Sequence, residues 1–213
     1  MLRPIHPLLM AALFAAHSLV GAQDRVAVGC QAVKLVLDER VTPGERDRLW
    51  ATGESVETAM PAVLELQGCH GERLDSRALE APLARLDPAP LRGVRPLTFL
   101  VTVDLTAPMG SYSGPLTRPV QVDGNRLSLA QARAADGRME PVVLAQTGKA
   151  AWKKVTVRGV DQFLAVRSEP LGGDFTTRYR RYVPGPQGWR VLDRSQPGLW
   201  ESDGEFPGRR SFP

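Results

Sequence analysis

The sequence predicts an α+β, β-rich protein, with short helices in the N-terminal third and an antiparallel sheet or sandwich-like arrangement over the C-terminal two-thirds. Three observations carry that expectation. Between residues 140 and 195, short β-branched and aromatic segments recur, several of them separated by glycine and proline clusters. The stretch LTFLVTVDL (97–105) alternates, with Leu97, Phe99, Val101, Val103 and Leu105 on one side. Upstream, TPGE (42–45) carries a helix start: Thr42 as cap, Pro43 at the first helical position and Glu45 at capping-box spacing.

The chain is expected to begin with a leader. Arg3 precedes the apolar run LLMAALFAAHSLV (8–20), and Gly21 and Ala22 come before Gln23, which is the pattern of a secretory signal over residues 1–22. A membrane anchor needs about 20 apolar residues, and Asp24 and Arg25 close this run early. No later segment is long and apolar enough to span a bilayer. The mature chain is therefore expected to be periplasmic or secreted. VAVGC (26–30) resembles the lipobox of bacterial lipoproteins. Ala27 stands where a larger aliphatic residue is usual, and Asp24–Arg25 separate the motif from the apolar run, so lipid anchoring at Cys30 is disfavoured.

Residues 23–213 are expected to form one globular domain with a mixed part (23–90) and a β-rich part (94–213). RVAVGCQAVKLVL (25–37) reads as a strand, although CQAVKLVLDER (30–40) also fits a helix. After the Thr42 helix, Gly53 marks a stop, and Pro61 prevents a continuous helix through SVETAMPAVLELQ (55–67). DSRALEAPLARL (75–86) places Leu79, Leu83 and Leu86 on one stripe and predicts a short helix from about Asp75. Four prolines between Pro82 and Pro96 mark a boundary or crossing loop. VQVDGNRLSL (120–129) predicts a hairpin around Asp123–Gly124. Ser128 with Gln131 has capping-box spacing and predicts a short helix ending at Gly137. PVVLAQ (141–146), WKKVTVRG (152–159), QFLAVRS (162–168), TTRYRRYV (176–183) and WRVLDRS (189–195) then read as strands. The tail from Gly198 to Pro213 has enough aromatic residues to pack back on the sheet.

Charge excludes little. The formal net charge is +4, and removal of Arg3 with the leader makes it +3. The basic residues are nearly all arginine, and no nucleic-acid partner is expected outside the cytoplasm. His6 and His17 leave with the leader, so His70 is the one imidazole of the mature chain.

That histidine follows Cys69, and the pair sets the chemical question. A covalent c-type haem needs C-x-x-C-H, but Leu66 occupies the first cysteine position. A structural zinc needs four ligands, and Cys30, Cys69 and His70 are the whole supply of soft donors. Neighbours in an extended chain point to opposite faces, which makes Cys69–His70 a poor nucleophile–base pair. No G-x-S-x-G elbow offers a serine instead, since the centre of GSYSG (110–114) is Tyr112. Two cysteines in an exported chain are normally joined, so Cys30 and Cys69 are expected to form a disulfide. No metal and no cofactor are expected.

The arginine-rich segment TTRYRRYVPGPQGWRVLDR (176–194) is the candidate binding feature. Arg178 and Arg180 share one face of its first strand, Arg190 and Arg194 share one across the turn, and Tyr179, Trp189 and Val191 are expected on the core side. Guanidinium groups grip carboxylates or phosphates with two prongs. Glu201, Asp203 and Glu205 alternate near the end, without the spacing of a calcium loop. Three functions follow as expectations. The first is a non-catalytic envelope protein that binds another protein. The second is a hydrolase using carboxylates or His70. The third is a binder of anionic glycan or lipid headgroups through Arg178, Arg180, Arg190 and Arg194, with His70 as a further ligand-binding candidate.

Overall fold

The computed structural model describes residues 24–52, 59–104 and 110–213. The expected signal segment (1–22), Gly53 and Leu105 lie outside the described residues. Strand accounts for 53% of the chain and helix for 6%, so the β-rich expectation holds, while the helical share is smaller than the sequence suggested.

The stretch read as one strand is extended but doubles back: β1 (Arg25–Val28) and β2 (Gln31–Val36) form an antiparallel hairpin around a turn at Gly29–Cys30. Helix α1 (Pro43–Thr52) follows. Its capping box is reciprocal. The Glu45 N–H donates to Thr42 Oγ1 at 3.3 Å, and the Thr42 N–H donates to Glu45 Oε2 at 3.2 Å. Strands β3 (Val63–Gln67) and β4 (Arg73–Ala78) complete a first antiparallel sheet in the order β1-β2-β3-β4.

The leucine stripe does not wind into a helix. Asp75 to Ala78 belong to β4, and β5 (Ala84–Leu86) pairs with β6 (Leu97–Val103). Pro82 sits inside the stripe and removes a helical hydrogen bond. The edges of β3 and β6, in turn, offer backbone partners to the two halves of the segment. Leu79, Leu83 and Leu86 are all buried nonetheless.

β7 (Leu116–Asp123) and β8 (Arg126–Leu129) form the expected hairpin, with Gly124 at φ +55° in its two-residue turn. The helix expected from Ser128 is also replaced by strand. β9 (Gln131–Arg133) follows β8 after Ala130, and Gly137 turns the chain into β10 (Met139–Pro141). The Ala130 N–H is taken by the Pro119 carbonyl at 2.9 Å, so pairing with β7 outcompetes the local cap. β11 (Leu144–Ala145) joins β7, giving a second sheet β11-β7-β6-β5 with β8 paired to β7.

The third sheet contains β12 (Ala150–Val157), β13 (Val160–Leu171), β14 (Asp174–Gly185) and β15 (Gly188–Pro197). Its order is β10-β9-β15-β14-β13-β12, antiparallel except where β15 meets β9.

The sheets stack in layers. Val33, Leu35, Leu64 and Leu66 of the first sheet pack with Phe99, Val101, Val103 and Val120 of the second, in a cluster that draws on both sides of the proline-rich segment. The other face of the second sheet supplies Leu100 and Leu144 to a cluster with Phe163, Tyr182, Trp189 and Val191 of the third. β6 is therefore covered on both faces. Thr98, on the side of β6 opposite Leu97, Phe99 and Val101, is fully buried, and its hydroxyl donates to the Pro96 carbonyl at 2.7 Å. The tail folds back as expected: Phe212 is buried against Leu164 and Val166, with Trp200, Phe206 and Tyr179 around it.

Cys30 and Cys69 form a disulfide across a separation of 39 residues. It links the β1–β2 turn to the β3–β4 turn. Closing a loop of that length contributes about 4 kcal/mol in the chain-entropy treatment. The bond fits an extracellular or periplasmic location. Among the described residues, no helix is long and apolar enough to cross a membrane.

Candidate functional site

The arginine segment folds as the β14–β15 hairpin, and its register decides which arginines can act together. Arg180 pairs with Asp193, Tyr182 with Val191, and Pro184 with Trp189. Because neighbours along a strand alternate in side, Arg178, Arg180 and Tyr182 share the inner face with Trp189, Val191 and Asp193. Tyr179 and Arg181 share the outer face with Arg190, Leu192 and Arg194. The four arginines predicted from sequence thus divide into two pairs on opposite faces. Tyr179 joins the outer cluster with Phe212, not the core side with Trp189 and Val191.

The inner pair is ion-paired. Arg180 Nη1 lies 2.9 Å from Glu140 Oε1 and 3.2 Å from the Tyr182 hydroxyl, and its Nε donates to Asp193 Oδ2 at 3.3 Å. Burial opposes the charge on Arg180. The Tyr182 hydroxyl, Glu140 and Asp193 outweigh that burial, so its pKa is raised above the ordinary arginine value. Burial also pushes the Tyr182 phenol up. Arg178 Nε reaches the same Asp193 oxygen at 3.4 Å. One carboxylate is therefore shared by two guanidinium groups.

The outer face is different. Arg190 and Arg194 are exposed on β15, and the parallel register sets Arg133 of β9 beside Arg190. The tail adds Arg209 and Arg210, both exposed, and the Arg210 carbonyl accepts a hydrogen bond from Arg194 at 3.3 Å. Arg181, half-buried, donates to Gln162 Oε1 at 2.9 Å. By register, the outward positions of β9, β10 and β12–β15 carry no Asp or Glu among the described residues. Of the tail acids, Glu201 sits at the other end of the hairpin, paired with Lys149, which is itself held over the Phe175 ring. Glu201 and Gly204 close a turn there, so the alternating acids do not form an extended row.

His70 is exposed in the β3–β4 turn beside Cys69, on the first sheet, and its N–H donates to Glu72 Oε2 at 3.0 Å. The structure does not bring it to the arginines of the third sheet. Sequence reading missed Arg133, Arg181, Arg209 and Arg210. The Phe206 and Phe212 pair flanking GRR was a usable signal for the last two, since it anchors that segment on the sheet. Nothing local announces Arg133, which reaches Arg190 only through a parallel pairing between distant segments. The chain matches no family model, no curated protein and no solved structure.

Proposed function

We propose that the chain is an exported, non-catalytic binding protein whose ligand is an anionic polymer laid along the β9–β15 part of the third sheet's outer face, beside the tail. The observation that carries this reading is the outer row of exposed arginines, Arg133, Arg190 and Arg194, on strands without an outward carboxylate. A one-signed surface raises the local concentration of opposite charge and speeds encounter. Arg190 and Arg194 lie four residues apart on a strand, about 13 Å at roughly 3.3 Å per residue. That spacing presents separate guanidinium forks to successive anionic groups.

A protein partner, the reading that sequence placed first, calls for a desolvated apolar or aromatic patch at the centre of the interface. On this edge the exposed apolar residues are Leu192 and Met139, set among arginines, which favours a polyanion instead. A hydrolase based on His70 gains no support from a histidine placed in a turn of the first sheet.

The test is retention of the purified protein on immobilised heparin, used as a generic sulfated polyanion. Retention should weaken steeply with salt, because exposed charges are screened. A combined Arg133→Ala, Arg190→Ala and Arg194→Ala variant should lose at least tenfold in affinity. Arg138→Ala, which removes a cation paired with Asp136, should change little. Undiminished retention of the triple variant would count against the proposal.

A further inference from the structure

We propose that a cleft at the open end of the third sheet's inner face binds a small monocarboxylate with a short apolar body, its carboxylate held between Arg167 and Arg178. This site is separate from the polymer face and uses the opposite side of the sheet.

The inner face changes character along its length. Phe163, Tyr182 and Trp189 are covered by the second sheet, with Phe163 and Trp189 stacked at 5.3 Å. The second sheet ends at β11, and beyond it a cleft of about 250 Å³ opens between the 141–145 segment and β13–β14. Its apolar wall is small: Val143, Ala145, Ala150 and Ala165. Pockets for drug-sized ligands begin at about 300 Å³, so this one suits a smaller molecule.

The rim supplies the anion specificity. Register places Arg167 directly opposite Arg178, and like charges so placed repel. Each is relieved only in part. Arg167 reaches Glu169 at 3.3 Å, and both side chains are solvent-exposed. Arg178 has an Asp193 oxygen at 3.4 Å that also serves Arg180. A carboxylate between the two forks would accept from both and offset their repulsion. Glu140 and Glu169 also border the cleft, and their charge disfavours a ligand with more than one negative group. This is why a monocarboxylate fits better than a phosphate.

The experiment is a titration of the full-length mature protein with hexanoate, followed by backbone amide shifts, with n-hexanol and inorganic phosphate in parallel. Saturable hexanoate binding is expected, shifting Ala165, Arg167 and Arg178, with hexanol and phosphate each at least tenfold weaker. Arg167→Gln with Arg178→Gln should weaken hexanoate at least tenfold. Ala165→Leu should fill the wall and abolish binding, while heparin retention through Arg190 and Arg194 stays as in the parent. Hexanoate bound no better than hexanol or phosphate overturns the proposal, as does binding that survives the double glutamine variant. If Ala165→Leu fails to fold, the glutamine variant decides alone.

Discussion

Arg180 and Arg190 are the same residue type on one hairpin, yet they face different surroundings. Arg180 is half-buried and holds Glu140, one of whose carboxylate oxygens has no contact with solvent. Arg190 is exposed on the outer face. Removing one partner of a buried charged pair leaves the other desolvated, which costs more than the pair contributes when intact. Arg180→Ala should therefore destabilise the fold by about 2 kcal/mol. Arg190→Ala should stay within about 0.5 kcal/mol. Urea unfolding of the two variants measures the difference, and equal stabilities would contradict the division between a structural inner arginine and a solvent-facing outer one.

At the scale of elements, the contacts between sheets are as telling as the pairing within them. Asp75 on β4 accepts the Leu127 N–H of β8 at 2.8 Å and the Ser76 N–H at 2.8 Å, while Arg77 Nε donates to the Leu127 carbonyl at 3.0 Å. Two side chains of the first sheet thereby satisfy backbone groups of the second. The Leu127 and Ser76 N–H groups hold the Asp75 carboxyl below the usual range. A carboxyl lowered on folding contributes stability that is complete above its unfolded pKa of about 3.9 and is lost as pH falls through the folded value. The melting temperature should accordingly drop on acidification from about pH 5 to about pH 2. Asp75→Asn, which keeps an acceptor but cannot titrate, should show a shallower drop. Identical pH slopes would remove Asp75 from the account.

For the whole molecule, the stack of three sheets is closed on its outer side by the tail. Phe212 contacts Tyr179 edge-on at 5.6 Å and stacks with Phe206 at 5.7 Å, and Lys153 lies 4.5 Å over the Phe206 ring. Truncating a buried phenylalanine costs about 3 kcal/mol or more, so Phe212→Ala should lower stability by that order in thermal or urea unfolding. It should also weaken heparin retention, because Arg209 and Arg210 are carried on the segment that Phe212 anchors. Lost stability with retention unchanged would mean that the tail arginines take no part in binding.

Where chemistry is local, the sequence by itself determined the outcome. Thr42 and Glu45 cap α1 because both cap partners lie within one turn. Asp123–Gly124 makes a hairpin because the turn needs a residue free to adopt positive φ. Cys30 and Cys69 could join intramolecularly in only one way. The leucine stripe from Leu79 to Leu86 and the Ser128–Gln131 spacing gave local helical signals, but neither wound into a helix: the stripe became the connection from β4 into β5 and the second segment became β8 and β9, because β3, β6 and β7 offered backbone partners that no local pattern reveals. The tertiary structure alone decided which arginines share a face. A one-residue step along a strand moves a side chain to the other face, and the Arg133–Arg190 neighbourhood exists only because β9 and β15, distant in sequence, lie side by side.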